Sequence, residues 1–442
     1  MSKLFLLLLL LFTSVRINAQ VYSLKECVEI ALMNKESLKS EALNLQSAEY
    51  GKKGSLSHIL PSVSYGNSWS ETKVPKGTSQ SSIVIMDSTF SLSSPYGGVS
   101  NSFGSSFSVN QTIYDGGQWL NQMRTANNNY LIAKQSARQE MISVVLNVHQ
   151  AFYEYLKSRQ LLEVAKKTLD LALEQIELVS TQFELGAVKK TDLLKAEVQL
   201  GKSKTDVLLK ETRMKNTELV LRNSMGLMGS QTTFEVTDFV RPLLPMPELK
   251  EAIDELEEYN PTLLIIQSQI TGLDLNRRIL TGTRRPKLSA SMMYGASTPE
   301  FADMGKIDNW TSTLSLSLSF PIFTGYNLTT REQQAELAIR KQQYNYVTQK
   351  HNLHVQLENL LNIIEDYQEL IPLDEQILAS AEEDLKLVQQ RYSLGSATIL
   401  EILDAQVSVT QARSALVTTK YDARIQEAQL RALLGTLDQD YR

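Results

Sequence analysis

A single cysteine, Cys27, stands in 442 residues, so no intramolecular disulfide can staple this chain. Four histidines, His58, His149, His351 and His354, join that thiol and the available serines in no nucleophile, base and orienter set. Neither a Walker phosphate loop nor a dinucleotide fingerprint is present. No catalytic site, cofactor site or metal site is therefore expected. Basic excess is missing too: 44 Lys and Arg against 49 Asp and Glu leave a net charge of −5. A nucleic-acid binder would concentrate positive charge on one face, so that class is set aside. Beyond the first nineteen residues nothing approaches eighteen consecutive apolar residues, which excludes a membrane-spanning helix. Proline and glycine vanish altogether over residues 118–184. A helix of that length would run roughly 100 Å.

Residues 1–19 carry the pattern of a secretory signal peptide. Lys3 gives the positive start, Leu4 to Phe12 the apolar run, and Ile17-Asn18-Ala19 a small-residue cleavage site. No cysteine follows that site directly, so no lipid anchor is expected at the mature N-terminus.

The chain repeats itself. Ile113–Gly226 aligns without gaps with Ile322–Gly435, an offset of 209. Phe183-Glu184-Leu185-Gly186 matches Tyr392-Ser393-Leu394-Gly395, and Asp192 with Ala196 matches Glu401 with Ala405. Upstream, Leu24-Lys25-Glu26 matches Leu249-Lys250-Glu251 at an offset of 225. The difference of 16 is an insertion between Ser70 and Asn101, expected in a strand-joining loop. Repetition of this kind defines the structural unit. The domains expected are a signal peptide (1–19), a first copy (20–228), a linker (229–246) and a second copy (247–442).

Helical spacing covers 23–58, 118–184 and 191–225 in the first copy, and 260–282, 326–393 and 399–434 in the second. Apolar residues at three- and four-residue steps, such as Val145, Val148, Phe152, Tyr155 and Leu156, form the seam of a lengthwise-packed helix. Pro372 lies inside the last long helix and is expected to kink or interrupt it.

Between the helices the period changes to two. Phe103, Phe107, Val109 and Ile113 alternate with Ser102, Gly104, Ser106, Ser108 and Asn110. Leu314, Leu316, Leu318 and Phe320 alternate with Thr313, Ser315, Ser317 and Ser319. Val63, Tyr65 and Trp69, and Leu288, Ala290, Met292 and Tyr294, continue the pattern. The polar face carries no Lys, Arg, Asp or Glu, which suits a narrow wet lumen better than a soluble surface. Runs of about ten residues match tilted strands crossing hydrocarbon. Trp69 and Trp310 sit beside the strand-joining loops, and Tyr114, Trp119 and Phe323 at the other ends, the layout of two interfacial aromatic girdles. Four strands cannot close on themselves, and open edges are not tolerated in lipid, so several chains must combine. Closure alone permits two, three or four.

The aromatic-glycine turns Tyr114-Asp115-Gly116-Gly117 and Phe323-Thr324-Gly325 and the duplicated tip motif resemble the TolC-like outer-membrane efflux protein family over essentially the whole mature chain. That resemblance implies a mainly α protein with a membrane β-barrel: a homotrimer whose twelve-stranded barrel continues into a long α-helical coiled-coil barrel, each chain made of two tandem repeats. It implies residence in the outer membrane of a Gram-negative bacterium, against outer-membrane lipid and reaching into the periplasm. The implied role is the passive exit duct of a tripartite efflux or type I secretion system, joined by a periplasmic adaptor to an inner-membrane pump. It also implies a periplasmic gate, with Asp192, Tyr392, Glu401 and Asp404 at the matching positions, and adaptor docking at the tip turns around Gly186 and Gly395. An arginine of the family's latch is replaced by Ala397, and Lys189 or Lys190 would have to supply the charge.

Blander readings stand beside these. Asp192 and Glu401 suit the starts of helices as capping residues, and Tyr392 and Phe183 suit packing. Gly186 and Gly395 suit helix-ending turns. His351 and His354 with Glu358 form a weak metal pattern, the default being surface or packing histidines. Cys27 is expected to be a small buried hydrophobe. A periplasmic coiled-coil scaffold or adhesin without a pore is the alternative function.

Overall fold

The computed structural model describes residues 20–86, 88–227, 234–237 and 245–441. The expected signal peptide and most of the 229–246 linker lie outside the described residues. In chain order the elements are β1 (Gln20–Tyr22), α1 (Leu24–Asn34), α2 (Glu36–Gly54), β2 (Ser62–Ile85), β3 (Ser88–Tyr114), α3 (Gln118–Glu184) and α4 (Lys190–Ser224). There follow β4 (Phe234–Val236), α5 (Leu249–Tyr259), α6 (Pro261–Gly282), β5 (Lys287–Thr298), β6 (Thr311–Ser319), α7 (Asn327–Ser393) and α8 (Ile399–Leu434).

Two compact units draw on both halves of the chain. The first comprises Met1–Leu45, Ile132–Gln267 and Tyr344–Arg442, and the second Gln46–Leu131 and Ser268–Gln343. The first unit is helical, with the short parallel pair β1–β4. Its main core gathers Cys27, Val28, Val145, Val148, Phe152, Leu156, Leu221 and Met225, all nearly or fully buried. Val145, Val148, Phe152 and Leu156 among them are the three- and four-step residues of the sequence. Fully burying a side chain such as Leu156 contributes about 1.5–3 kcal/mol. A second core packs Leu256, Leu263, Leu357, Leu361 and Ile364.

Local chemistry explains the element ends. Ser23 caps α1 in a capping box with Glu26. Lys35 is an extended break at which the expected helix over 23–58 divides in two, and Asn260 is the matching break that separates the expected second-copy helix, α6, from α5, a helix the spacing did not announce. At Asn260 the following Pro261 enforces the extended backbone. Pro372 does not interrupt α7, which stays helical from Asn327 to Ser393. The proline and the residue four before it, Gln368, are both exposed, so water can take the carbonyl bond that the ring removes.

In the second unit the sheet order is β2-β3-β5-β6, with every neighbour antiparallel. The strands β2 and β3 are far longer than the ten residues expected, at 24 and 27. The insertion between Ser70 and Asn101 is not a loop: it pairs with itself almost to the turn, from Glu71 opposite Asn101 to Ile85 opposite Ser88. Its prolines are accommodated where the register shifts, between Val74 and Gly77, and on strands with one unpaired edge.

Candidate functional site: sheet and helix tips

Register decides what the sheet offers. Tyr65 pairs with Phe107 and Phe107 with Tyr294; Val63 pairs with Val109, Val109 with Met292 and Met292 with Leu314. Directly paired residues share a face, so the apolar positions of four strands merge into one surface. That surface is uncovered: Val63 is 70% exposed, Leu314 78% and Leu318 70%. On the other face serines meet serines, with Oγ atoms 2.7 Å apart for Ser64 and Ser108 and 3.0 Å for Ser102 and Ser297. Within the four-stranded region Met293, opposite Ser108 and Thr313, is the one large apolar residue placed in that polar set. The outer edges of β2 and β6 have no partner strand in the sheet.

The expected girdle residues fall at the two ends of the four-stranded region. Trp69 is opposite Phe103, the last position of β3 that pairs with β5. Trp310 immediately precedes β6, lies 5.0 Å from the Tyr294 ring and donates its indole N–H to the Met304 carbonyl at 3.0 Å. Tyr114 ends β3 and Trp119 begins α3, while Phe323 is 76% exposed in the turn before α7.

The helix tips belong to the first unit. Gly186 and Gly395 have φ of 74° and 72°. Each closes its helix with the paired bonds of a Schellman motif: Gly186 N–H to Phe183 O and Ala187 N–H to Gln182 O, then Gly395 N–H to Tyr392 O and Ser396 N–H to Arg391 O. Only glycine takes this backbone without strain.

Tyr392 does two things. Its ring packs against two small cores, one with Val179, Leu193 and Ile399 and one with Val388, Ile402 and Ala405. Its hydroxyl donates to Gln182 Oε1 at 2.8 Å, which ties α7 to α3. Burial raises the Tyr392 hydroxyl pKa above its ordinary value, and the Asp192 charge adds to the rise. The matching Phe183 is 36% exposed and carries the Lys190 ammonium over its ring at 5.4 Å.

Glu401 and Asp192 hold the same helical position with different outcomes. Thr398 caps α8, and the Glu401 carboxylate accepts from the Thr398 N–H at 3.0 Å in a complete capping box. The Thr398 backbone bond, then its hydroxyl, then Arg391 hold the Glu401 carboxyl below its usual range. In α4 the cap is Lys189, which makes no side-chain capping bond, so Asp192 has no box to complete. Asp404 is exposed one turn beyond Glu401.

Sequence reasoning missed Arg391. Its guanidinium lies 3.3 Å from Glu401 Oε2 and donates to the Ser396 carbonyl at 3.0 Å. It places a cation beside Glu401 from the other side of the turn, while Ala397 packs against the Val388 core. A last-turn arginine before a helix-ending glycine was the available signal. Neither Lys189 nor Lys190 takes that role at Glu401. Elsewhere, His354 and Lys350 both approach Glu257, at 3.2 and 2.6 Å. Cys27 is wholly buried, its thiol pushed up to about 12 chiefly by burial.

Residues 27–227 and 252–436 match the profile of the family described as outer membrane efflux protein. A pyoverdine export outer membrane protein, OpmQ of Pseudomonas putida, is 22% identical over 92% of this chain and 83% of its own length. The outer membrane protein TolC of Escherichia coli is 24% identical over 77% of this chain and 71% of its own. Among solved structures, CusC matches with a TM-score of 0.81 at 18% identity, covering 93% of this chain and 92% of that one.

Proposed function

The chain belongs to the outer membrane efflux protein family, and on that premise we propose that three copies form the passive exit duct of a tripartite efflux or type I secretion system. It is an outer-membrane transport protein, not an enzyme. The observation that carries the proposal is the four-stranded sheet with two open edges and one continuous exposed apolar face. In lipid such edges must be paired, and three copies give twelve strands around a lumen wide enough for water. The serine face then lines the lumen, and Trp69, Trp310, Tyr114, Trp119 and Phe323 anchor the interfaces.

The 20–228 and 247–442 segments act as tandem copies that each contribute one hairpin and one pair of long helices. At the periplasmic end the tips alternate between closed and splayed arrangements. The Tyr392–Gln182 bond and the Arg391–Glu401 pair favour the closed one, and Asp192 and Asp404 add negative charge. A periplasmic adaptor docking at the turns of Gly186 and Gly395 shifts the balance only by its differential affinity for the two states. The inner-membrane pump supplies the driving force. The names of relatives, such as a toluene efflux pump outer membrane protein in Pseudomonas putida, support a pump partnership. The family match disfavours a poreless scaffold.

Purified protein reconstituted in planar bilayers tests this reading. Discrete conducting steps are expected, with longer openings in Tyr392→Phe. Bilayers that stay silent, with Glu401 or Asp404 substituted as well, would overturn the conduit.

A further inference from the structure

Past the end of the four-stranded region, β2 and β3 continue alone as a two-stranded ribbon. Pairing with β5 stops at Phe103 opposite Thr298, whereas β2 and β3 stay paired out to Ile85 and Ser88. Isolated ribbons of this kind are marginal in water and need something to pack on.

The ribbon is two-faced, and its faces are exchanged relative to the sheet below. In the sheet, the apolar residues of β3 occupy odd positions, Phe103, Phe107 and Val109. In the ribbon they occupy even ones, Leu92 and Tyr96. The change happens at the register shift. Val74 pairs with Gly98 but Gly77 with Tyr96, so Pro75 and Lys76 face Gly97 alone. Because β3 gains no residue there, counting along it through Gly97 and Gly98, at φ of 96° and 135°, carries its apolar row to the face that bears Ser102, Ser106 and Ser108 below. On β2 the extra residue keeps odd numbers in step, and Ile83 shares the face of Leu92 and Tyr96. A Cβ on Gly77 would meet the Tyr96 ring at 2.8 Å, and one on Gly97 the Pro75 carbonyl oxygen at 2.3 Å, so the crossing is tightly built. The opposite face holds Thr78, Gln80, Ser82, Thr89, Ser91 and Ser93, with Val84 as its one large apolar residue near the turn.

Ile83, Leu92 and Tyr96 are 53, 57 and 55% exposed. The serine face of the sheet is the one the proposed barrel turns to its lumen, so the ribbon's apolar face looks toward the same axis. We propose that the ribbons of three copies pack through this face over the outer mouth, as an apolar collar that restricts it. The inference rests on the trimeric conduit reading. Charge singles out this occupant: between Gly77 and Tyr96 only Asp87 is charged. Residues close to a three-fold axis meet their own copies there, so a face that packs on that axis must be nearly uncharged. A lipid-headgroup surface would instead call for lysines and arginines along the ribbon.

Full-length protein in outer-membrane vesicles, with Cys27→Ala to remove the native thiol, carries the test. Ala252 fills the matching position of the second copy, also fully buried, so that background is mild. Single cysteines are then introduced at Leu92→Cys and Ser91→Cys, both exposed positions, and oxidised with copper phenanthroline. The expected result is a covalent dimer at position 92, holding up to two of every three chains, and none at 91. Cross-linking at 91 only, or equally at both, overturns the collar. Failure at both positions in material that native mass spectrometry finds trimeric overturns the collar and leaves the conduit standing. Monomeric material overturns the conduit itself and the collar with it.

Discussion

His149 makes acid stability a quantitative test of the helical core. Its side chain is buried, with Nε2 2.9 Å from the Tyr441 hydroxyl. Burial above all, with Arg431 nearby, lowers its pKa from 6.5 to about 4. The unfolded chain takes up this proton below pH 6.5, whereas the folded chain holds out until about pH 4. In that window the unfolded state binds more protons, so stability falls as pH falls. At 1.36 kcal/mol per unit, the full window withdraws about 3 kcal/mol. His149→Gln keeps a hydrogen-bonding partner for Tyr441 and removes the titration. Guanidinium midpoints followed by helical circular dichroism at pH 7.5 and 4.5, at one protein concentration, give the loss for each protein. Carboxylates that titrate in the same range cancel between them. Wild type is expected to lose about 2–3 kcal/mol more than the variant. Equal losses would refute the buried neutral imidazole.

Further outcomes follow from other contacts. Arg138 bonds the Asp438 carboxylate, which is fully buried, at 3.2 Å, and also the carbonyls of Tyr259 and Gly435. Arg138→Met is expected to destabilise by about 3–5 kcal/mol in the same denaturation assay. Leu357 is wholly buried, and Leu357→Ala should remove about 2–5 kcal/mol. Tyr392→Phe loses one bond to Gln182, worth about 1 kcal/mol, and should open the tip more often in bilayer recordings while barely shifting the unfolding midpoint. Gly395→Ala forces a left-handed alanine, a strain of about 1–2 kcal/mol, detectable as a lower midpoint.

The long helices were legible because an apolar seam at three- and four-residue steps leaves no other conformation to bury it. The tip turns were legible from Gly186 and Gly395, whose positive φ the glycines announce. Pairing was harder to see. Residues 70–101, rich in serine with Pro75, Pro95, Gly97 and Gly98, resemble a loop, and only register shows them as a ribbon. Arg138 and Asp438 lie 300 positions apart, a separation that no local pattern spans. At the tip, the absence at Ala397 was visible, but the cation that answers Glu401 comes from Arg391, on the far side of the turn.

In the proposed trimer one chain supplies a third of a closed barrel. Native mass spectrometry of detergent-extracted protein reads the copy number. Three times the mass of the mature chain is expected, and a folded species at the mass of one chain would overturn the trimeric conduit.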